Sequence, residues 1–231
     1  LCKIFYNRLM VSPKINGLYD SKTISELLKL GVRSFSFDFR PQSLNFVQHY
    51  RVIEILKEVG ITNDKKFTFH FGNEFAPLIE KFISDLAAEV SVTADDWSNG
   101  LLSLEFSGRE DFSVMDDFEV PYRWHLYKGS NWGAAKNAKN LRGVVLPFEY
   151  LEDSFEDGSL NSLCVNLHTV FRSCEFHLER DWSSNVFSLL MDLFDFTDMS
   201  FPIDQNVEVC FRNVDTKKLA SGVRPFLNIS K

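Results

Sequence analysis

Eight residues able to do chemistry, Asp38, Glu105, His125, Lys128, Glu149, Glu179, Arg180 and Asp204, stand at or just beyond the ends of short apolar runs. Carboxylates with a histidine among them can trade protons with a substrate or hold a divalent cation. Their spacing matches no recognised motif. The plainer reading is therefore a ring of solvated charges, with Glu179 or Asp204 paired to Arg180 or Lys128. No two histidines have the i, i+4 spacing of a helical zinc site. His70 and His125 fall in alternating strand patterns and His168 in a helical one, so packing and hydrogen bonding are expected there, with no metal and no cofactor. Cys164 and Cys174 sit in apolar surroundings with no base beside them, and read as small buried residues. Trp97, Trp132 and Trp182 stand in polar loops, where they either mark a contact surface or close over one end of the fold.

Holding eight such residues together takes regular elements, and the first of these are the clearest. Val11–Ile15 is a short apolar strand ended by Asn16-Gly17, and Ser21 is a candidate N-cap for a helix carrying Ile24, Leu27, Leu28 and Leu30. Gly31 closes that helix, and Ser34–Phe39 follows as a second strand stopped by Arg40-Pro41. Two strands joined by one helix through short turns make a βαβ unit and a parallel sheet. The alternation then repeats. Further strands are expected at Lys66–Phe71, Leu101–Phe106, Tyr122–Tyr127, Leu141–Leu146, Cys174–Leu178 and Met199–Ile203. Helices are expected at His49–Glu58, Pro77–Ala88, Ser162–Phe171 and Val186–Phe196, with weaker ones at Asp111–Phe118, around Ala134–Lys139 and from Asp215. Ser91–Gly100 and the acidic Glu149–Ser159 read as loops. About eight βα units in 231 residues predict one α/β domain over residues 1–231, a (β/α)8 TIM barrel. An open doubly wound sheet would want a glycine-rich first turn, which Asn16-Gly17-Leu18-Tyr19 is not.

Composition narrows the partners. The formal charge of −7 comes from acids spread along the chain, which argues against nucleic acid or an anionic membrane as partner. Four cysteines without CxxC spacing suggest reduced thiols, and the first residues lack the apolar run of a signal peptide. A cytoplasmic location is expected. The 23 phenylalanines read as core filling in place of Leu and Val.

The opening unit resembles phosphoribosylanthranilate isomerase, the tryptophan-biosynthesis barrel that turns an aminoaldose into a ketose. That family begins Lys-Ile-Cys-Gly, runs through a helix ending in Gly and a strand of the form Gly-Phe-Val-Phe, and continues Pro-x-Ser-x-Arg-Tyr-Val. The counterparts are Lys14-Ile15-Asn16-Gly17, Gly31, Ser36-Phe37-Asp38-Phe39 and Pro41-Gln42-Ser43-Leu44-Asn45-Phe46-Val47. Farther on, Phe71-Gly72-Asn73-Glu74 resembles the third-strand turn, and Leu104-Glu105-Phe106-Ser107-Gly108 the fourth-strand Gln-Leu-His-Gly. His177–Val186 aligns with the seventh-strand phosphate loop, and Asp204-Gln205-Asn206-Val207-Glu208 with the eighth-strand Ser-Ser-Gly-Val-Glu.

The departures fall on the chemistry that the resemblance implies. Asn16 replaces the cysteine that serves the family as general base, and an amide cannot remove a proton from C2. The sixth strand ends Val145-Leu146-Pro147 where the family's acidic aspartate belongs, with no carboxylate before Glu149. Asn45 replaces the arginine that meets the anthranilate carboxylate. The glycine-rich phosphate loops have become Glu179-Arg180 and Asp204-Gln205-Asn206, whose carboxylates would repel a phosphate. Loss of all these groups together implies a barrel that has left the isomerase reaction and works as a binding or scaffold protein. Its mouth would be formed by Asn45, Glu105, His125, Lys128, Glu179, Arg180 and Asp204. A protein partner is then expected and a phosphorylated ligand is not. Two alternatives stay open: a divergent working isomerase that recruits Asp38 or Glu149, and an enzyme with new chemistry at an acidic mouth.

Overall fold

The structure, a computed structural model, describes residues 11–183 and 188–227. Eight parallel strands close into a barrel in chain order. They are β1 (Ser12–Asn16), β2 (Ser34–Asp38), β3 (Lys66–Phe71), β4 (Leu102–Phe106), β5 (Tyr122–His125), β6 (Leu141–Pro147), β7 (Glu175–Glu179) and β8 (Phe196–Pro202). Helices α1 (Ser21–Leu30), α2 (His49–Val59), α3 (Ala76–Val90), α4 (Ala94–Ser98), α5 (Phe112–Asp116) and α6 (Trp132–Ala135) lie in the first five connections. The rest carry α7 (Phe148–Glu156), α8 (Leu160–Val170), α9 (Ser188–Leu193) and, after β8, α10 (Thr216–Leu227). A small antiparallel pair, β9 (Glu208–Cys210) and β10 (Asn213–Val214), precedes α10. Among the described residues, no helix is long and apolar enough to cross a membrane.

Several boundaries differ from the expected ones, each for a local reason. Asp20, not Ser21, caps α1, its carboxylate accepting the Thr23 N–H at 2.7 Å. Thr93 and Asp96 form a capping box that turns the expected loop at Ser91–Gly100 into the short helix α4. Glu149–Ser159 is largely helix α7, because Phe148, Leu151 and Ser154 recur at helical spacing and bury one face beneath an acidic exterior. The expected helix at Val186–Phe196 starts outside the described residues and ends at Leu193, and its expected last residue, Phe196, instead opens the strand β8, which so precedes the expected Met199–Ile203.

Strand alternation sorts the side chains into two layers of opposite character. Phe35, Phe37, Phe39, Phe67, Phe69 and Phe71 point outward and stack in the layer between strands and helices; Phe69, for example, meets Phe82 of α3 at 4.8 Å. Burial of each such ring contributes roughly 1.5–3 kcal/mol. The inward residues of the same strands are Ser34, Ser36, Asp38, Thr68 and His70, all buried. Barrel interiors are usually filled by branched apolar residues. This one is lined by hydroxyls and charges.

Candidate active site at the barrel mouth

Parallel register sets Asp38, His70 and Glu105 side by side at the C-terminal ends of β2, β3 and β4. From β1, deeper in the barrel, the Lys14 ammonium donates to Glu105 Oε2 at 2.6 Å, and both side chains are fully buried. Oε1 of the same carboxylate lies 2.7 Å from His125 Nε2 and 3.8 Å from His70 Nδ1. The Nδ1 edge of His125 faces Glu179 at 3.3 Å, and that glutamate keeps a third of its side chain, 34%, in contact with solvent. His70 stacks on His125, ring centres 4.5 Å apart, and its Nε2 shares a hydrogen bond with Ser107 at 3.0 Å. Asp38 is gripped by Arg40 through Nη2 at 2.6 Å, Nε at 2.9 Å and the backbone N–H at 3.0 Å.

These contacts set the charge states. Burial works against ionisation of Glu105, yet Lys14 and His125 hold its carboxyl well below the usual range. Burial also disfavours a charged His125, but Glu179 and Glu105 overcome it and raise the imidazole to about 9. Burial and the neighbouring imidazolium drive His70 the other way, down to about 3. Glu179 resists its own burial through His125 and lies at about 2. Asp38 is lowered despite burial, chiefly by Arg40. At neutral pH the mouth therefore holds His125 as an imidazolium between the Glu105 and Glu179 carboxylates, with the neutral His70 ring stacked on it.

His70, Glu105 and His125 each offer a donor atom, all within 4.8 Å of one another, which is close enough for a metal ion. The fit is poor. Imidazole lone pairs lie in the ring planes, and these two rings are stacked 11° from parallel, so one ion cannot meet both without a ring turning. Lys14 also holds the carboxylate already. The arrangement suits a proton better than a cation.

The remaining candidates do not join this cluster. Glu149 is exposed on the first turn of α7, and Lys128 is exposed in the loop after β5. Arg180 does not pair with Glu179; its guanidinium lies over the Phe201 and Phe226 rings at 5.3 and 5.8 Å. Asp204 spends its carboxylate on its own turn, accepting from the Asn206 backbone at 2.8 Å and its side chain at 3.1 Å. The expected pairing of Glu179 or Asp204 with Arg180 or Lys128 is thus replaced by a histidine partner and a local turn. Asn45 lies against Gly17, whose φ of +79° and close approach leave no room for a Cβ, and donates to the Ile203 carbonyl at 2.5 Å. Asn16 leaves its buried Oδ1 without a hydrogen-bond partner among the described residues. None of the three tryptophans forms a free contact surface: Trp97 is buried near Phe69, Trp132 packs near Phe171, and Trp182 stacks on Phe201 while donating to the Pro202 carbonyl.

A second buried cluster, which sequence reasoning missed, fills the barrel below the mouth. Arg123 Nη1 and His177 Nδ1 both meet Asp198 Oδ2 at 3.0 Å. His177 packs where Gly143 has no side chain; a Cβ there would come within 2.5 Å of its Nε2. The signal was present in Tyr-Arg-Trp-His and Glu-Phe-His-Leu-Glu. Strict alternation of apolar residues with charged or histidine residues in buried parallel strands requires a polar interior.

No family model matches the chain, and no curated protein matches it. Solved structures do. Phosphoribosylanthranilate isomerase from Thermotoga maritima superposes with a TM-score of 0.62 at 15% identity, covering 94% of this chain and 99% of that one. Such an isomerase in complex with reduced 1-(o-carboxyphenylamino)-1-deoxyribulose 5-phosphate gives 0.60 at 17% identity, covering 93% and 97%. The 3-keto-L-gulonate-6-phosphate decarboxylase of Vibrio cholerae follows at 0.55 and 7% identity, covering 94% and 97%. Two unrelated reactions among these neighbours are a reminder that such likeness speaks for the fold. Over nearly its whole length the chain is a (β/α)8 barrel built like phosphoribosylanthranilate isomerase.

Proposed function

We propose that this barrel has left the isomerase reaction and serves as a binding protein. The observation that carries the reading is the mouth itself. Where the resemblance places a proton-abstracting base stands Asn16, and the inward groups Lys14, Glu105, His70 and His125, each at most 3% exposed, are engaged with one another. Neither possible recruit is well placed, since Asp38 is committed to Arg40 and Glu149 is exposed on α7. The carboxylate of Glu179, at the end of the strand where the resemblance puts a phosphate loop, would repel a phosphate dianion.

A binding role draws support from the exposed apolar residues Leu44, Tyr50, Phe75 and Leu78, which lie 55–80% exposed on α2, α3 and the loops before them. Tyr50 and Leu78 line a cavity of about 350 Å³ floored by Phe39, Phe71 and Phe82. An apolar patch of this kind is a common mark of a protein contact. Calorimetric titration with reduced 1-(o-carboxyphenylamino)-1-deoxyribulose 5-phosphate tests the reading. No heat at millimolar ligand is the expected result, whereas micromolar binding restores the isomerase and makes Asp38 and Glu149 the residues to mutate.

A further inference from the structure

At the opposite, N-terminal end of the barrel a cavity of about 290 Å³ opens between the starts of β1, β2, β3 and β8. It has room for roughly ten water-sized groups, just below the volume of ordinary small-molecule sites. Two of its lining residues are polar, more than nine-tenths buried and incompletely partnered. Asp198 uses Oδ2 for Arg123 and His177, leaving Oδ1 without a hydrogen bond, and the Ser34 hydroxyl has no partner at all among the described residues. They flank β1, which pairs with β8 through Ser12 and Asp198 and with β2 through Lys14 and Ser34. A buried carboxylate oxygen without a donor costs free energy until one arrives, and a charged N–H donor offsets that cost best.

The rim supplies the opposite charge. Lys66 stands in register with Ser34 one strand along, and its ammonium has no partner among the described residues. Arg33 beside it is already engaged by the Leu28 and Val32 carbonyls and by Asp64. Pro13 and Phe226 add apolar surface to the lining.

We propose that this cavity binds a small zwitterion. Its ammonium group would sit on Asp198 Oδ1 and the Ser34 hydroxyl, its carboxylate would reach Lys66, and its short carbon chain would lie against Pro13 and Phe226. The site is separate from the mouth, so its occupancy is independent of what the mouth has lost.

The test is calorimetric titration of the intact protein with glycine, L-leucine, 4-aminobutanoate and 6-aminohexanoate, with butylamine and butanoate as single-charge controls. At least one zwitterion should bind, and removing either charge should weaken binding roughly tenfold or more. Lys66→Met should reduce the bound zwitterion to the affinity of the amine alone. Ser34→Ala should weaken both while leaving the melting temperature unchanged, which separates loss of the ligand from loss of the fold. The proposal is overturned if no zwitterion gives heat at about 10 mM. It is equally overturned if butylamine binds as well as the zwitterions, or if Lys66→Met and Ser34→Ala change nothing.

Discussion

His125 and His177 point into the same barrel from β5 and β7, each with 1% of its side chain exposed, yet one is charged and the other neutral. Burial pushes both toward the neutral form. At the mouth, His125 meets two carboxylates, Glu105 and Glu179, which overcome burial and keep it protonated. Lower down, His177 meets Asp198, but Arg123 already neutralises that carboxylate, and the imidazole stays lowered. Burial alone does not choose the charge of a buried histidine. The second partner does, a carboxylate in one cluster and a guanidinium in the other.

The severest way to break the mouth cluster is to remove its fixed cation. Lys14→Met leaves Glu105 buried with one countercharge fewer and should cost about 3–5 kcal/mol in urea unfolding. Phe69→Leu, in the aromatic layer outside the same strands, should cost below about 1.5 kcal/mol. If Lys14→Met costs no more than Phe69→Leu, water reaches Glu105 and the interior is not dry.

The pH dependence separates the histidines next. His125 is raised from its ordinary 6.5 to about 9, so its contribution is complete below 6.5 and lost as pH rises through 9. Its size is on the order of 3 kcal/mol. His70 and His177 are lowered, so theirs is present above 6.5 and lost as pH falls, for His70 through about 3. Unfolding midpoints of the unmodified protein should therefore fall between pH 6.5 and 9, and His125→Gln should flatten that limb while leaving an acid limb. An unchanged alkaline limb in the variant would assign the proton to another group.

The smallest effect sharpens the contrast most. Glu179→Gln should bring the His125 titration, followed by NMR, down from about 9 by less than about one pH unit, since Glu105 remains, and leave His177 where it is. Its effect on stability should stay within about 1 kcal/mol, because Glu179 is a third exposed and partly screened by water. A His125 titration that does not move would make Glu105 the sole source of its charge.

Much of the barrel was legible because Phe-x-Phe alternation, as in Ser34–Asp38 and Lys66–Phe71, marks strands whatever their partners. Helix α7 was not, since its acidic face outweighed three buried positions in a loop-like composition. Of the eight candidate residues, Asp38, Glu105, His125 and Glu179 do converge, because each is the last or next-to-last residue of a strand. Lys128, Glu149, Arg180 and Asp204 stand one to three residues beyond their strands, where turns and helix starts re-aim the chain. Lys14, Arg123 and Asp198 escaped notice for the opposite reason: they lie within strands, and only knowledge of which face is inward identifies their partners.

The barrel's buried charges also bear on how the chain assembles. Lys14 and Glu105 belong to β1 and β4, whereas Arg123 and Asp198 belong to β5 and β8. Each half of the chain thus brings a complete cation–anion pair, and a half-formed sheet can neutralise its own inward face before meeting the other. The contacts of His125 with Glu105 and His70 cross the divide and form only when the halves join. Cutting the chain between Phe106 and Tyr122 would part the two pairs without opening either, which makes this barrel a natural candidate for reassembly from two fragments.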